Sequence, residues 1–104
     1  TAFHADVVLP ASSFATKSGT FTNTDRRVQL VRPVLGLPAG TRQDWWLIQE
    51  IARRIGLGWN YSGPSEIYTE MASTMPSLNN ITWERLVREG AVTYPADAPD
   101  KPGN

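Results

Sequence analysis

The sequence predicts an α+β fold: N-terminal strands over about 5–9 and 26–32, packed with three helices over about 44–55, 64–75 and 83–89, and a disordered tail. Three observations carry that expectation. Val7-Val8-Leu9 is a compact apolar run closed by Pro10. Val28 and Leu30 alternate with Gln29 and Val31, the period of a half-buried strand. Trp45, Ile48, Ile51, Ala52 and Ile55 recur at the spacing of one helix face.

Each element has its own justification. The unbroken apolar character of residues 5–9 is that of a strand covered on both faces, as in a parallel sheet. Pro10 ends it, because proline has no N–H for the ladder and restricts the residue before it. A hydroxyl-rich loop follows over Ser12–Ser18, expected to be mobile, with Phe14 and Phe21 bracketing it and Gly19 supplying freedom for a turn. A strand that delivers a Ser/Thr/Asn/Lys loop to its carboxyl end is the layout in which α/β proteins bind phosphorylated ligands. After the second strand, Pro33, Gly36, Pro38 and Gly40 punctuate a linker without periodicity.

The first helix opens at Asp44, a good N-cap, carries Arg53 and Arg54 in its last turn, and closes at Gly56 or Gly58. The second opens at Gly63-Pro64, proline being suited to the first helical position, with Glu66 near the third. Ile67, Met71 and Met75 are its expected buried stripe, with Tyr68 and Ala72 alongside, and Pro76 marks its end. Thr82 caps the third helix, Ile81 and Leu86 are placed for a hydrophobic staple, and Gly90 terminates it. Residues 44–90 are expected to form a compact helical unit that buries Trp45, Ile48, Ile51, Ile55, Ile67, Met71 and Leu86. Ala91 to Tyr94 suits a brief strand. Residues 1–94 then read as a single domain, with the Pro/Asp/Gly-rich stretch 95–104 as linker.

Composition excludes several functions. The 104 residues carry ten basic and ten acidic side chains, so no global field draws nucleic acid or anionic membranes. There is no cysteine, which rules out disulfides, thiolate metal sites and iron–sulfur ligation within this chain. A single histidine, His4, has no second histidine or cysteine to work with and reads as a surface or interface residue. No apolar run approaches the roughly 20 residues that span a bilayer. The four tryptophans lie near helix starts, where packing is a better account of them than base stacking.

Two residues stand out as candidates for binding. Lys17, beside Ser12, Ser13, Thr16 and Ser18, is either a solvated loop lysine or a point charge set against a pyrophosphate. Asp44 is either a helix cap or a carboxylate for the N1–H and N2–H₂ edge of a guanine, whose two parallel donors a carboxylate matches. Arg26 and Arg27 suit phosphate or a carboxylate equally, and Asn23 and Thr24 are turn-formers as readily as ligands.

ADVVLP, GTFTNTDRRVQ and RQDWWLIQEIARRIG together resemble the large subunit of molybdopterin-dependent oxidoreductases, and within it the formate dehydrogenase alpha subunit of the NAD-dependent type. The resemblance continues through GPSEIYTEM, NNITWERLVREGAV and TYPADAPDKPGN. It implies a segment of a longer cytoplasmic subunit, lying after the iron–sulfur and active-site regions and before a C-terminal β-barrel-like domain. It also implies a molybdopterin guanine dinucleotide with Mo or W in the parent enzyme and none in the isolated chain. Its implied partners are the other domains of that subunit and iron–sulfur or flavin subunits, with no nucleic acid and no membrane. The parent would oxidise formate to carbon dioxide and pass electrons through iron–sulfur clusters towards NAD, while this chain would be inactive alone and hold no catalytic residue and no metal ligand. Lys17 occupies the place of a family lysine that contacts the dinucleotide, and Asp44 that of a cofactor-contacting aspartate just before a helix. The family has Glu where Thr16 stands, so any role of that carboxylate has no carrier here. The rival expectation is a small non-enzymatic helical module that binds protein or RNA through its Trp and Arg side chains.

Overall fold

A four-residue turn at Asn23–Arg26 folds the chain back on itself, and its geometry follows from the side chains present. The Asn23 carboxamide oxygen accepts the Arg27 N–H at 2.9 Å, and the Asn23 N–H donates to the Arg27 carbonyl at 3.1 Å. Arg26 takes a left-handed conformation (φ 60°) to complete the reversal. In the computed structural model, which describes residues 1–103, this turn joins β1 (Gly19–Thr22) to β2 (Arg27–Val31). The chain divides into two compact units, one of residues 1–17 and 33–60, the other of residues 18–32 and 61–104.

The second unit is a three-stranded antiparallel meander with two α-helices and a 3₁₀ turn at Pro76–Leu78. β2 is central, with β1 on one side and β3 (Ala91–Thr93) on the other. Thr20 lies opposite Leu30, and Val28 lies opposite both Thr22 and Val92. Val28 and Val92 are buried and join Tyr68, Ala72, Leu78, Ile81, Leu86 and Ala96 in one core, with Leu30, Trp83 and Tyr94 packed on its margin.

α2 (Pro64–Thr74) starts as its sequence requires, with Pro64 at the first helical position and Glu66 reaching back to accept the Ser62 N–H at 2.9 Å. α3 (Trp83–Glu89) is capped by Thr82, whose hydroxyl accepts the Arg85 N–H at 3.1 Å, and is ended by Gly90 at φ 76°. Ile81 and Leu86 flank that cap as a staple and are the most deeply buried large side chains among the described residues. Each contributes roughly 1.5–3 kcal/mol by burial.

The first unit contains α1 (Asp44–Arg54) and the loops that lead to it. α1 ends in a Schellman motif: the Leu57 N–H donates to the Ala52 carbonyl, the Gly56 N–H to that of Arg53, and Gly56 stands at φ 93°. An isolated parallel bridge pairs Ala11 with Arg42, through Arg42 N–H to the Pro10 carbonyl at 3.1 Å and Ser12 N–H to the Arg42 carbonyl at 2.9 Å. The Val34 and Leu35 N–H groups both donate to the Ala15 carbonyl.

The α+β class, β2, β3 and the three helices agree with the sequence reading. Residues 44–90 are divided between the two units and are not one helical unit, Asp44 does not cap α1, and five further details do not agree. Residues 5–9 form no strand: Val7, Val8 and Leu9 are exposed, and no described strand lies alongside to take their ladder hydrogen bonds. Gly19 opens β1 rather than a turn, because Thr20, Phe21 and Thr22 suit an edge strand and the reversal is made later, by Asn23–Arg26. On α1 the buried residues are Gln49 and Ala52, while Ile48, Ile51 and Ile55 are exposed. α1 is the one α-helix of its unit, so that unit gives those side chains no second helix to pack on. On α2 the buried stripe is Tyr68 and Ala72, with Met71 and Met75 exposed, since the Tyr68 hydroxyl turns that face inward to donate to the Ile81 carbonyl at 2.7 Å.

The fifth difference is the tail, which is packed as far as Lys101. Ala96 is buried and its carbonyl accepts from the Asn80 carboxamide at 2.8 Å. The buried Arg85 guanidinium donates to the carbonyls of Asn80, Ala98 and Lys101 and pairs with Glu89. Charge-assisted bonds to three carbonyls hold a segment whose composition alone suggested disorder.

Candidate cofactor-binding site

The site is built in the first unit, where a loop and a helix start are tied together. The loop Ser12–Lys17 is anchored at its beginning by the Ser12–Arg42 bond, and Arg42 lies two residues before α1. Above it the Arg42 guanidinium sits 5.4 Å from the centre of the Trp46 ring, a cation–π contact that steadies the approach to the helix. The loop then makes one 3₁₀ turn, Phe14–Thr16. Thr16 is buried and donates both its N–H and its hydroxyl to the Ser13 carbonyl, at 3.1 and 3.0 Å. Thr16 therefore serves the turn locally.

Lys17 follows that turn directly. Its ammonium nitrogen lies 2.5 Å from Asp44 Oδ2, with the two side chains 27% and 47% exposed. The hydrogen bond from Lys17 holds the Asp44 carboxyl below the ordinary carboxylate range, against a smaller opposing effect of burial. Asp44 is the first helical residue of α1 and not its cap. The preceding residue, Gln43, makes no side-chain cap and instead accepts the Trp45 indole N–H at 2.9 Å. A carboxylate at this place also meets the positive end of the helix dipole. The structure thus brings Lys17 and Asp44 together, which their 27-residue separation in sequence did not announce.

Sequence reasoning named Ser12 only as a neighbour of Lys17. It is buried, and among the described residues its hydroxyl has no hydrogen-bond partner. A buried polar atom without a partner costs about 1–3 kcal/mol. No sequence signal distinguishes Ser12 from Ser13 or Ser18, since burial depends on the Arg42 bridge.

The remaining candidates take structural roles. Asn23 makes the hairpin turn, Arg26 supplies its left-handed residue, and Arg27 is exposed at the start of β2. His4 stacks edge-on against Phe3, both exposed. A separate hollow of about 250 Å³ in the second unit is lined by Tyr68, Thr69, Ala72, Ser73, Thr82 and Trp83 among others and holds neither Lys17 nor Asp44. Among the described residues no three His, Asp or Glu side chains gather as a metal site, and no helix is long and apolar enough to cross a membrane.

Lys17 and Asp44 thus form an acid–base pair between a loop and a helix start. Residues 1–54 match the molybdopterin oxidoreductase family, to which the chain belongs. That membership implies a molybdopterin cofactor with molybdenum or tungsten in the whole enzyme. Its relatives are more particular. The chain is 51% identical over 86 residues to a Bacillus subtilis protein named "Putative formate dehydrogenase YrhE", covering 83% of this chain and 9% of that protein. It is 46% identical over 100 residues to "Putative formate dehydrogenase SH0748" of Staphylococcus haemolyticus, covering 96% and 10%. It is 41% identical over 105 residues to "F420-dependent formate dehydrogenase 2 subunit alpha" of Methanococcus maripaludis, covering 99% and 15%. The chain therefore spans between 9% and 15% of the length of these relatives.

Proposed function

We propose that this chain is a segment of a molybdenum- or tungsten-dependent formate dehydrogenase large subunit, and that Lys17 and Asp44 hold the guanine end of a molybdopterin guanine dinucleotide. The observation that carries the reading is the 2.5 Å contact between the two residues. Lys17 and Asp44 each suggested a dinucleotide contact on separate grounds, and a single site requires them to be neighbours. The chemistry of the donor set fits such a group. An ammonium has three donors and a carboxylate about four acceptor positions, so one mutual bond leaves both with capacity for a base edge. The unpartnered Ser12 hydroxyl, in the same loop, is a further polar atom that a bound group satisfies.

When bound, the cofactor supplies the metal at which formate gives up two electrons and a proton to become carbon dioxide. The residues of this chain bind and orient its nucleotide end. The reading carries with it the rest of such an enzyme: the other domains of the subunit, iron–sulfur and flavin partners that lead electrons towards NAD, and a place in the cytoplasm. Relatives at 41–51% identity bearing formate dehydrogenase names support it.

The test is made on the whole subunit that contains this chain. Acid hydrolysis should release guanosine monophosphate in fixed proportion to molybdenum or tungsten, and the purified protein should reduce an electron-accepting dye with formate. A cytidine nucleotide in the hydrolysate, or metal without nucleotide, would overturn the reading.

A further inference from the structure

We infer that the outer edge of β1 is an interaction surface, paired by an extended strand of the same large subunit from outside these 104 residues. This rests on the chain being a segment of a longer subunit and uses nothing of the cofactor site.

The ladder fixes the direction of each backbone group. The Leu30 N–H donates to the Gly90 carbonyl at 3.0 Å, and the Arg26 carbonyl accepts the Tyr94 N–H at 2.8 Å. In an antiparallel pair the hydrogen-bonded residues alternate along the strand. The N–H and carbonyl groups of Arg26, Val28 and Leu30 therefore point towards β3, and those of Arg27, Gln29 and Val31 towards β1. The bond from the Asn23 N–H to the Arg27 carbonyl agrees. The register carries this alternation outward on both sides. Gly19 lies opposite Val31 and Phe21 opposite Gln29, so these two turn their groups inward, while Thr20 and Thr22 turn theirs away from the sheet. Thr93, opposite Arg27, does the same on β3.

The two edges are finished differently. At β3 the tail returns, and Gly103 sits so close to the Thr93 carbonyl oxygen that a β-carbon there would collide with it. At β1 no strand lies alongside. Among the described residues the N–H and carbonyl groups of Thr20 and Thr22 have no hydrogen-bond partner. β1 reads Gly-Thr-Phe-Thr, without a charge, a proline or a break in register, features by which open edges are kept from pairing. Phe21 is 47% exposed and gives an incoming strand an apolar side chain to pack beside. The edge is thus built to be covered. Four backbone groups are too few to hold a free peptide against the entropy of association, whereas a segment of the same polypeptide arrives at high effective concentration. The relatives have length to supply one, since this chain covers 9% to 15% of them.

The test is hydrogen exchange, read residue by residue by mass spectrometry, on the purified large subunit without other subunits. The Thr20 and Thr22 amides should exchange at least about a hundredfold slower than in an unstructured peptide. Thr22→Pro removes an N–H that β2 does not use, and its ring stands where the neighbouring strand would lie. It should release the Thr20 amide and one segment outside these 104 residues, while Phe21 and Gln29 stay protected. Thr22→Val, which keeps the N–H, should match the parent. Fast exchange at Thr20 and Thr22 beside a protected Phe21 would make the edge open to solvent and overturn the inference. Protection that appears only in the assembled complex would assign the strand to another subunit, and overturns it equally. So would a Thr22→Pro subunit with unchanged exchange outside these residues. The intact mass of the purified protein separates this failure from the other: a protein of only these 104 residues overturns the segment reading itself.

Discussion

Lys17 and Asp44 meet across 27 residues of sequence through one contact, Nζ to Oδ2. One end of that contact is a loop and the other is the first turn of α1, so the pair fixes the loop against a rigid element. Its two side chains keep 27% and 47% of their surface, which leaves the polar atoms reachable by a ligand. A pair this exposed is worth no more than about 1 kcal/mol to stability.

The pair makes a prediction in pH. Asp44 has a lowered pKa in the folded chain, principally through its bond to Lys17. A depressed folded value means that the bond contributes fully above the ordinary carboxylate pKa of about 3.9 and is lost as pH falls through the folded value. Carboxyl-carbon NMR should find Asp44 titrating below that ordinary value, and Lys17→Met should move the midpoint upward. A midpoint unchanged by that substitution would show that the pair does not form in solution.

Asp44→Asn separates stability from binding in the whole subunit. Asp44 is half exposed and is not the helix cap, so the melting temperature of the cofactor-free protein should fall by the equivalent of about 1 kcal/mol or less. With Asp44 at a guanine edge as proposed, the amide would set one donor against another, at a cost of about 1–3 kcal/mol, or roughly ten- to a hundredfold in affinity. Cofactor content should drop accordingly. Full occupancy with normal formate oxidation would leave Asp44 with no part in binding.

Arg85→Lys tests the strap. A lysine cannot fork to the carbonyls of Asn80, Ala98 and Lys101 at once. The variant should lose about 1–3 kcal/mol, with hydrogen-exchange protection reduced over residues 96–101 before α2 or α3 is affected. Equal loss of protection everywhere would instead make Arg85 a general core residue.

Leu86→Ala tests the core that the staple closes. Leu86 is fully buried beside Ile81, so the truncation should cost about 2–5 kcal/mol by urea titration. Ile48→Ala on the exposed face of α1 should stay within about 0.5 kcal/mol of the parent chain. Comparable losses at the two positions would show that α1 is covered in solution.

Much of the fold was legible where local chemistry decides it. Pro64 at a helix start, Thr82 with Ile81 and Leu86, and Gly56 and Gly90 at helix ends all act through neighbours within a few residues. What failed depended on partners far along the chain. Residues 5–9 have the composition of a buried strand, yet a strand exists only through a neighbour that accepts its ladder bonds. The tail has the composition of a linker, and one arginine, 16 residues before Lys101, overrides it. Lys17 and Asp44 were named as candidates from the sequence, by their places in a hydroxyl-rich loop and at a helix start and by the family resemblance. Their contact was not, since nothing in the periodicity of either segment brings residue 17 to residue 44. Ser12 escaped for the same reason: its burial is set by a bridge to Arg42.

The interleaving of the two units also bears on the order in which the chain is made. The hairpin of β1 and β2 emerges before α1, but the strand and helices that cover it come only after α1 is complete. Until then its apolar residues, Val28 among them, have no core to enter. The first unit, by contrast, has both halves of its ion pair and all of α1 available once residue 60 has emerged. During vectorial synthesis the first unit is therefore ready to assemble while the larger unit still waits for its last strand.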